Sequence, residues 1–163
     1  GVGVMTMEQA REWGCVGPMA KASGLAIDYR CAEEETIYHA LGFKPITDTA
    51  GDCYARCKVR LLEVLQAIDL SVGCCRQMPE GPIDMKVIGF PPVGEAFTRT
   101  EQPRGEAIYY VKGNKTKNLE RFRLRTPTNI NIPAMVNLLQ GCELADVPMI
   151  ILTIDPCISC CER

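Results

Sequence analysis

The residues best suited to chemistry lie in the last stretch of the chain, Asp155-Pro156-Cys157-Ile158-Ser159-Cys160-Cys161-Glu162-Arg163. Two thiols three positions apart can reach one ion at about 2.3 Å, and metal binding keeps them as thiolates. Pro156 fixes a backbone dihedral just before the first thiol, which lowers the entropy lost on binding. Two thiolates leave a four-coordinate site half filled, so the remaining ligands must come from elsewhere. The same spacing also suits a redox dithiol or a structural pair. Cys161 follows Cys160 directly, so its side chain should point away, and it reads as a non-ligand. Arg163 places a cation three residues beyond Cys160.

Three other groups merit weighing. Arg104 sits between Pro103 and Gly105, which fix the backbone and clear space around it; on residue types alone it is a solvated arginine at a strand start. Thr128 reads as the N-cap of the helix that follows, and a hydroxyl beside free amides also makes an anion site. Cys53 and Cys57 fall one helical turn apart with no His or further Cys nearby, so core packing is the better reading. Most of the ten cysteines are expected to be packing residues of this kind. His39 is the single histidine, which excludes a His-rich zinc site, and in a loop-like segment with no Cys or carboxylate constellation it is left unassigned.

The elements that must carry these groups form an α+β pattern, mainly helical. Thr6 caps a short helix through Trp13, and a second segment runs from Met19 to Ser23 before Gly24. Residues 25–50 read as loop, with a short helix around Glu33–Leu41. A long core helix is expected over about 52–78, capped by Asp52 and closed by Pro79. Its Val59, Leu62, Leu65, Ile68 and Val72 recur as one apolar stripe. Residues 79–104 read as an extended connection. A small β-hairpin over about 105–124 follows, turning near Gly113-Asn114, then a helix over Asn129–Leu139 closed by Gly141. The apolar run Val147–Ile154 is either a buried strand or a helix.

Composition limits the classes. The 163 residues suffice for one domain with a real core, and 47% hydrophobic with 23% charged residues suits a soluble globular fold. A net charge of −2 offers no electrostatic reason for a nucleic-acid or anionic-membrane partner. No apolar run approaches the ~20 residues needed to span a bilayer. The N-terminus lacks both the basic region of a signal peptide and an initiating Met, so the chain reads as cut from a longer one. Cysteines without any mark of export imply reduced thiols in an intracellular setting.

Taken in order, these segments resemble one family. Asp155-Pro156-Cys157-x-x-Cys160-x-x-Arg163 is similar to the C-terminal cysteine motif of nickel–iron hydrogenase large subunits. Arginine at its last position resembles the membrane-bound, energy-converting group. Pro103-Arg104-Gly105 and Pro127-Thr128 resemble that family's Pro-Arg-Gly and Pro-Thr segments. Gly17-Pro18-Met19-x-Lys21-x-Ser23-Gly24 with Asp28 and Arg30, and Gly51-Asp52-Cys53-Tyr54-x-Arg56, resemble both this group and the quinone-site subunit of respiratory complex I. The complex I subunit lacks the cysteine pair, so the tail separates the two.

The resemblance implies a nickel–iron centre held by two Cys-x-x-Cys pairs, with cyanide and carbon monoxide on the iron. Cys157 matches a terminal nickel thiolate and Cys160 a bridging one. Arg104 matches the arginine over the open metal position, and Thr128 the residue that hydrogen-bonds an iron-bound cyanide. Soft thiolates suit such metals, and the implied reaction interconverts dihydrogen with protons and electrons. The family's first cysteine pair has no counterpart here. Residues 1–163 are therefore expected to be a single domain, the C-terminal half of a large subunit, supplying two of four ligands and inactive in isolation. Implied partners are the missing N-terminal half, an iron–sulfur small subunit and membrane subunits that hold the assembly on the cytoplasmic side. Arg163 stands where family precursors are cut, and a terminal carboxylate there could serve a magnesium ion. Two readings of other classes remain: a complex I-like electron-transfer subunit without a metal centre, and an assembly module with a structural zinc at the tail.

Overall fold

Thr6 starts the first helix, α1 (Met7–Glu12), with a reciprocal cap: its hydroxyl accepts from Gln9 N–H, and the Gln9 side chain accepts from Thr6 N–H. The structure, a computed structural model, describes residues 1–32, 37–86, 88–90 and 92–162. Glu33–Thr36 of one expected helix and the Arg163 cation lie outside them. Pro18 at the first position opens α2 (Pro18–Lys21), where its missing N–H costs nothing. Then come a 3₁₀ turn (Tyr29–Cys31) capped by Asp28, and the single turn α3 (Ile37–Ala40), which carries an exposed His39.

The long helix is α4 (Cys53–Gln77), and the Asp52 carboxylate accepts from Ala55 N–H at 2.8 Å at its start. A three-stranded antiparallel sheet follows, ordered β1 (Gly94–Gln102), β2 (Gly105–Gly113), β3 (Arg121–Arg125). α5 (Pro127–Leu138), α6 (Val147–Ile154) and the one-turn α7 (Ile158–Cys161) complete the chain. The fold is α+β, as the pattern predicts.

The core sits where α1, α2, the start of α4, α5 and α6 meet, around Met5, Ala10, Met19, Cys53, Ala134, Leu138, Ile150 and Ile154. Arg56 is fully buried in it and donates to Gly51 O and Gly3 O (both 2.9 Å), to Thr153 Oγ1 (3.1 Å) and to the Cys53 sulfur (3.2 Å). Such saturation is what a guanidinium needs out of water.

Four expectations change. Residues 94–102 are a strand rather than part of an extended connection, and the predicted hairpin is its continuation. β1 is exposed over most of its length, so cross-strand hydrogen bonds rather than burial define it, and no alternating pattern betrays it. Only the first two turns of α4 enter the core: Val59 is buried, whereas Leu65 and Ile68 are more than half exposed. The stripe is present, but among the described residues no element covers it. Thr126, not Thr128, is the N-cap residue of α5. Finally, only Cys15 and Cys53 of the ten free cysteines are buried; Cys57 and Cys75, on an outward-looking face of α4, and Cys161 on α7 are exposed. Val147–Ile154 resolves as a helix whose Ile150, Thr153 and Ile154 face inward at three- and four-residue spacing.

Candidate functional site

Arg104 and the cysteine tail meet although 51 residues separate Arg104 from Asp155. Each is held by a different device. β1 ends at Gln102, paired with Gly105 of β2, so Pro103-Arg104 is a two-residue turn with Arg104 at its tip. The turn rests on Gly17. A Cβ there would lie 2.3 Å from the Arg104 carbonyl oxygen, and one on Gly105 would lie 2.8 Å from Gly17 N. Both glycines have positive φ, +62° and +126°. The Gly17-Pro18 and Arg104-Gly105 motifs are thus two sides of one backbone contact.

The tail is set by Asp155, which ends α6 in the left-handed conformation with φ 58°. Its carbonyl accepts from Arg104 Nε at 2.8 Å, and its carboxylate lies 3.0 Å from the same nitrogen. Arg60 of α4 reaches the same corner, donating to Ile154 O at 3.0 Å and pairing with Asp155 at 3.3 Å. It thereby satisfies carbonyls that the end of α6 leaves free.

Cys157 is the N-cap of α7, and Cys160 N–H donates to Cys157 O at 3.0 Å, so both thiols belong to one turn. The start of α5 secures them. The Thr128 hydroxyl, buried, accepts from Cys157 N–H at 3.3 Å, and Thr126 Oγ1 donates to Cys160 O at 3.1 Å. The Cys157 thiol is drawn down to about 7 from 9.0 by the Ser159 hydroxyl and by hydrogen bonds from Cys160, side chain and backbone, with Arg104 adding its charge. Burial, and then the bond and charge of Cys157, push the Cys160 thiol up, while Thr128 and Arg104 oppose that. The two shifts run in opposite directions, which makes Cys157 the more acidic thiol of the pair.

The tail residues Cys157 and Cys160, together with Arg104 and Thr128, therefore converge on one place. Cys53 and Cys57 lie elsewhere on α4, and Cys161 is exposed. Among the described residues no group of three or more His, Cys, Asp or Glu could hold a metal ion. What the tail offers is two thiols in one turn, a soft donor pair whose chemistry suits nickel and iron. Arg60 and Asp155 as a linked pair escaped the sequence reading. Residues 95 apart carry no local pattern, and Arg60 shares its helix face with Arg56 and Glu63, so nothing in the sequence singled it out.

A model of the respiratory-chain NADH dehydrogenase 49 kDa subunit family matches residues 1–91 and 85–163. The chain belongs to that family. It is 40% identical over 163 residues to the carbon monoxide-induced hydrogenase of Rhodospirillum rubrum, covering 100% of this chain and 45% of that protein. It is 38% identical over 181 residues to the membrane-bound hydrogenase subunit alpha of Pyrococcus furiosus, covering 99% and 42%. A solved chain of the membrane-bound sulfane sulfur reductase, an archaeal respiratory membrane complex, superposes with TM-score 0.88 at 30% identity, covering 100% and 46%. The chain thus spans less than half the length of these relatives. They are oxidoreductase subunits, and the resemblance to complex I-related hydrogenase large subunits stands. No helix among the described residues is long and apolar enough to cross a membrane.

Proposed function

We propose that this chain is the C-terminal half of the large subunit of an energy-converting nickel–iron hydrogenase, and that Cys157 and Cys160 supply two of the four thiolates of its centre. The observation that carries this is the convergence of both thiols, Arg104 and Thr128 from segments far apart in sequence. A scaffold built only for packing has no need of it.

Bound there, the nickel–iron group with its cyanide and carbon monoxide ligands would supply the metals at which dihydrogen is taken up or released. The residues supply the rest. Cys157 Sγ, drawn down to about 7 by Ser159 and Cys160, gives up its proton readily and so is suited to bind as a thiolate. Arg104 is kept in place by Asp155 through two groups, so its charge reaches both sulfurs and would stabilise an anionic centre. The Thr128 oxygen is occupied by Cys157 N–H, which leaves its proton for Cys160 or for a diatomic ligand. Catalytic roles thus fall to Arg104, Cys157 and Cys160. The second cysteine pair would come from the N-terminal half, electrons would pass to an iron–sulfur small subunit, and membrane subunits would hold the complex on the cytoplasmic side. A magnesium ion by the chain end would involve Arg163, which the structure does not describe.

The experiment is metal analysis of the complete complex from its natural host. Stoichiometric nickel and iron in the wild type, with nickel lost in Cys157→Ala, is the expected result; a Cys157→Ala complex that keeps both metals and full activity would sink the proposal. A metal-free wild-type complex would favour the complex I-like electron-transfer reading. That reading has one observation on its side: the Gly17–Arg30 and Gly51–Arg56 segments build scaffold and touch neither thiol.

A further inference from the structure

Three residues before Arg104, on β1, stands a carboxyl that the thiol site does not use. The Glu101 side chain is 3% exposed. Its Oε2 accepts from Tyr29 N–H at 3.1 Å, while Oε1 is buried with no hydrogen-bond partner. The nearest cation, Lys21 Nζ, stands 3.6 Å from Oε1, because Lys21 donates to Asp28 at 2.5 Å and to Glu63 at 2.7 Å. Arg30 is likewise directed at Asp28, at 2.7 Å. Lys21 and Arg30 thus turn their shortest contacts to Asp28 and Glu63, and Glu101 is left with a longer ion pair. Across the strand pair stands Glu106, itself bound by Arg99. Burial first, and then the charge of Asp28, push the Glu101 carboxyl up from 4.5, against Lys21, Tyr29 N–H and Arg30.

Glu101 also lines a cavity of about 470 Å³ together with Tyr38, Arg60, Glu63, Pro103 and Asp155. Asp155 is the residue that anchors Arg104, so the cavity lies between the buried cluster and the thiol site. It is polar enough and large enough to hold several waters.

We propose that Glu101 is a proton-relay carboxyl, taking up and returning a proton at Oε1 through water in this cavity, between the Arg104–Cys157 site and the solvent at the cavity mouth. The relay rests on the hydrogenase reading. Each dihydrogen oxidised yields two electrons, which leave to the iron–sulfur partner, and two protons, which cross Oε1 one at a time. Only O–H bonds form and break at Glu101. When protonated, Oε1 becomes a donor to cavity water, which removes the unsatisfied buried acceptor.

The test uses the complete complex from its natural host with Glu101→Gln and Glu101→Asp, read by infrared spectroscopy, metal content and turnover. Expected is a protonated-carboxyl band in the wild type that persists above the pH at which an ordinary glutamate ionises, shifts in D₂O and vanishes in E101Q. Turnover of E101Q should fall by roughly 10²-fold with metal content unchanged. E101D should keep a shifted band and an intermediate rate, and it decides the matter if E101Q does not assemble. An identical band in E101Q, or an E101Q enzyme with wild-type rate and pH profile, overturns the relay while the metal assignment stands. A wild-type complex without nickel and iron overturns the hydrogenase reading instead, and the band then decides whether Glu101 holds a proton.

Discussion

Replacing Gly17 by Ala tests whether backbone contact beneath the Pro103-Arg104 turn sets the position of the arginine. Two costs add. A side chain at φ +62° costs about 1–2 kcal/mol from the left-handed conformation alone. The new Cβ would also stand 2.3 Å from Arg104 O and 2.7 Å from Gly105 Cα, both backbone atoms that no rotamer change can move. Restoring tolerable contact requires the turn to retreat by at least ~0.7 Å, with an overpacking cost of about 1–3 kcal/mol. The sum, about 2–5 kcal/mol, is a large share of the ~5–15 kcal/mol typical of folded proteins. Gly14→Ala is the control: its φ is +65° with nothing within 4 Å of the added carbon, so only the first cost applies. Urea denaturation of both variants isolates the contact, and G17A should be less stable than G14A by at least ~1 kcal/mol. In the complete complex, G17A should also lose nickel where G14A does not, since displacing the turn displaces Arg104. Equal stabilities for the two variants would refute the reasoning.

Two further perturbations probe independent links. The Lys58 ammonium, 2.8 Å away, and then the Ala50 N–H hold the half-buried Asp48 carboxyl down at about 2 from 3.8. A depressed carboxyl stabilises the fold above its unfolded value and loses that contribution as pH falls through the folded one. Asp48→Asn should therefore flatten the acid limb between pH 3.8 and about 2 in a circular-dichroism titration; a curve superimposable on the wild type would refute the pairing. Thr126→Val removes the bond to Cys160 O, and because Thr126 makes no side-chain cap bond, the loss of about 1 kcal/mol reports the tail contact alone. Alkylation of Cys160 should accelerate in this variant while α5 keeps its helicity; an unchanged rate would show that the bond does not restrain the tail.

What could be read from the chain were the features with local causes. Thr6 and Asp52 cap helices because a short polar side chain three residues ahead of an amide is a local geometry, and both caps are found. The Gly113-Asn114 turn likewise marks the junction beyond β2. β1 escaped because its Glu95, Thr98, Arg99 and Thr100 are exposed, so pairing with β2 is its only signal. Thr128 looked like a cap because it precedes the apolar run, but Pro127 already occupies the first turn and moves the cap to Thr126. The stripe of α4 was legible, its burial was not, since periodicity names a face without naming what covers it. Within the site, motif likeness pointed to Arg104, Thr128, Cys157 and Cys160, and the structure brings them together. The Arg60–Asp155 corner and the lone Oε1 of Glu101 depend on contacts between distant segments, which no window of sequence contains.

The clasp on residues 155–162 has a temporal consequence. Every group that grips this segment, Arg60, Arg104, Thr126 and Thr128, precedes it in the chain and belongs to an element with its own hydrogen bonds. Those elements can form while the segment is still free, and its capture then closes spans of 29 to 95 residues at a cost that rises only slowly with length. Capture of the segment therefore fixes both thiols, and the guanidinium that is bonded to Asp155, in one closure.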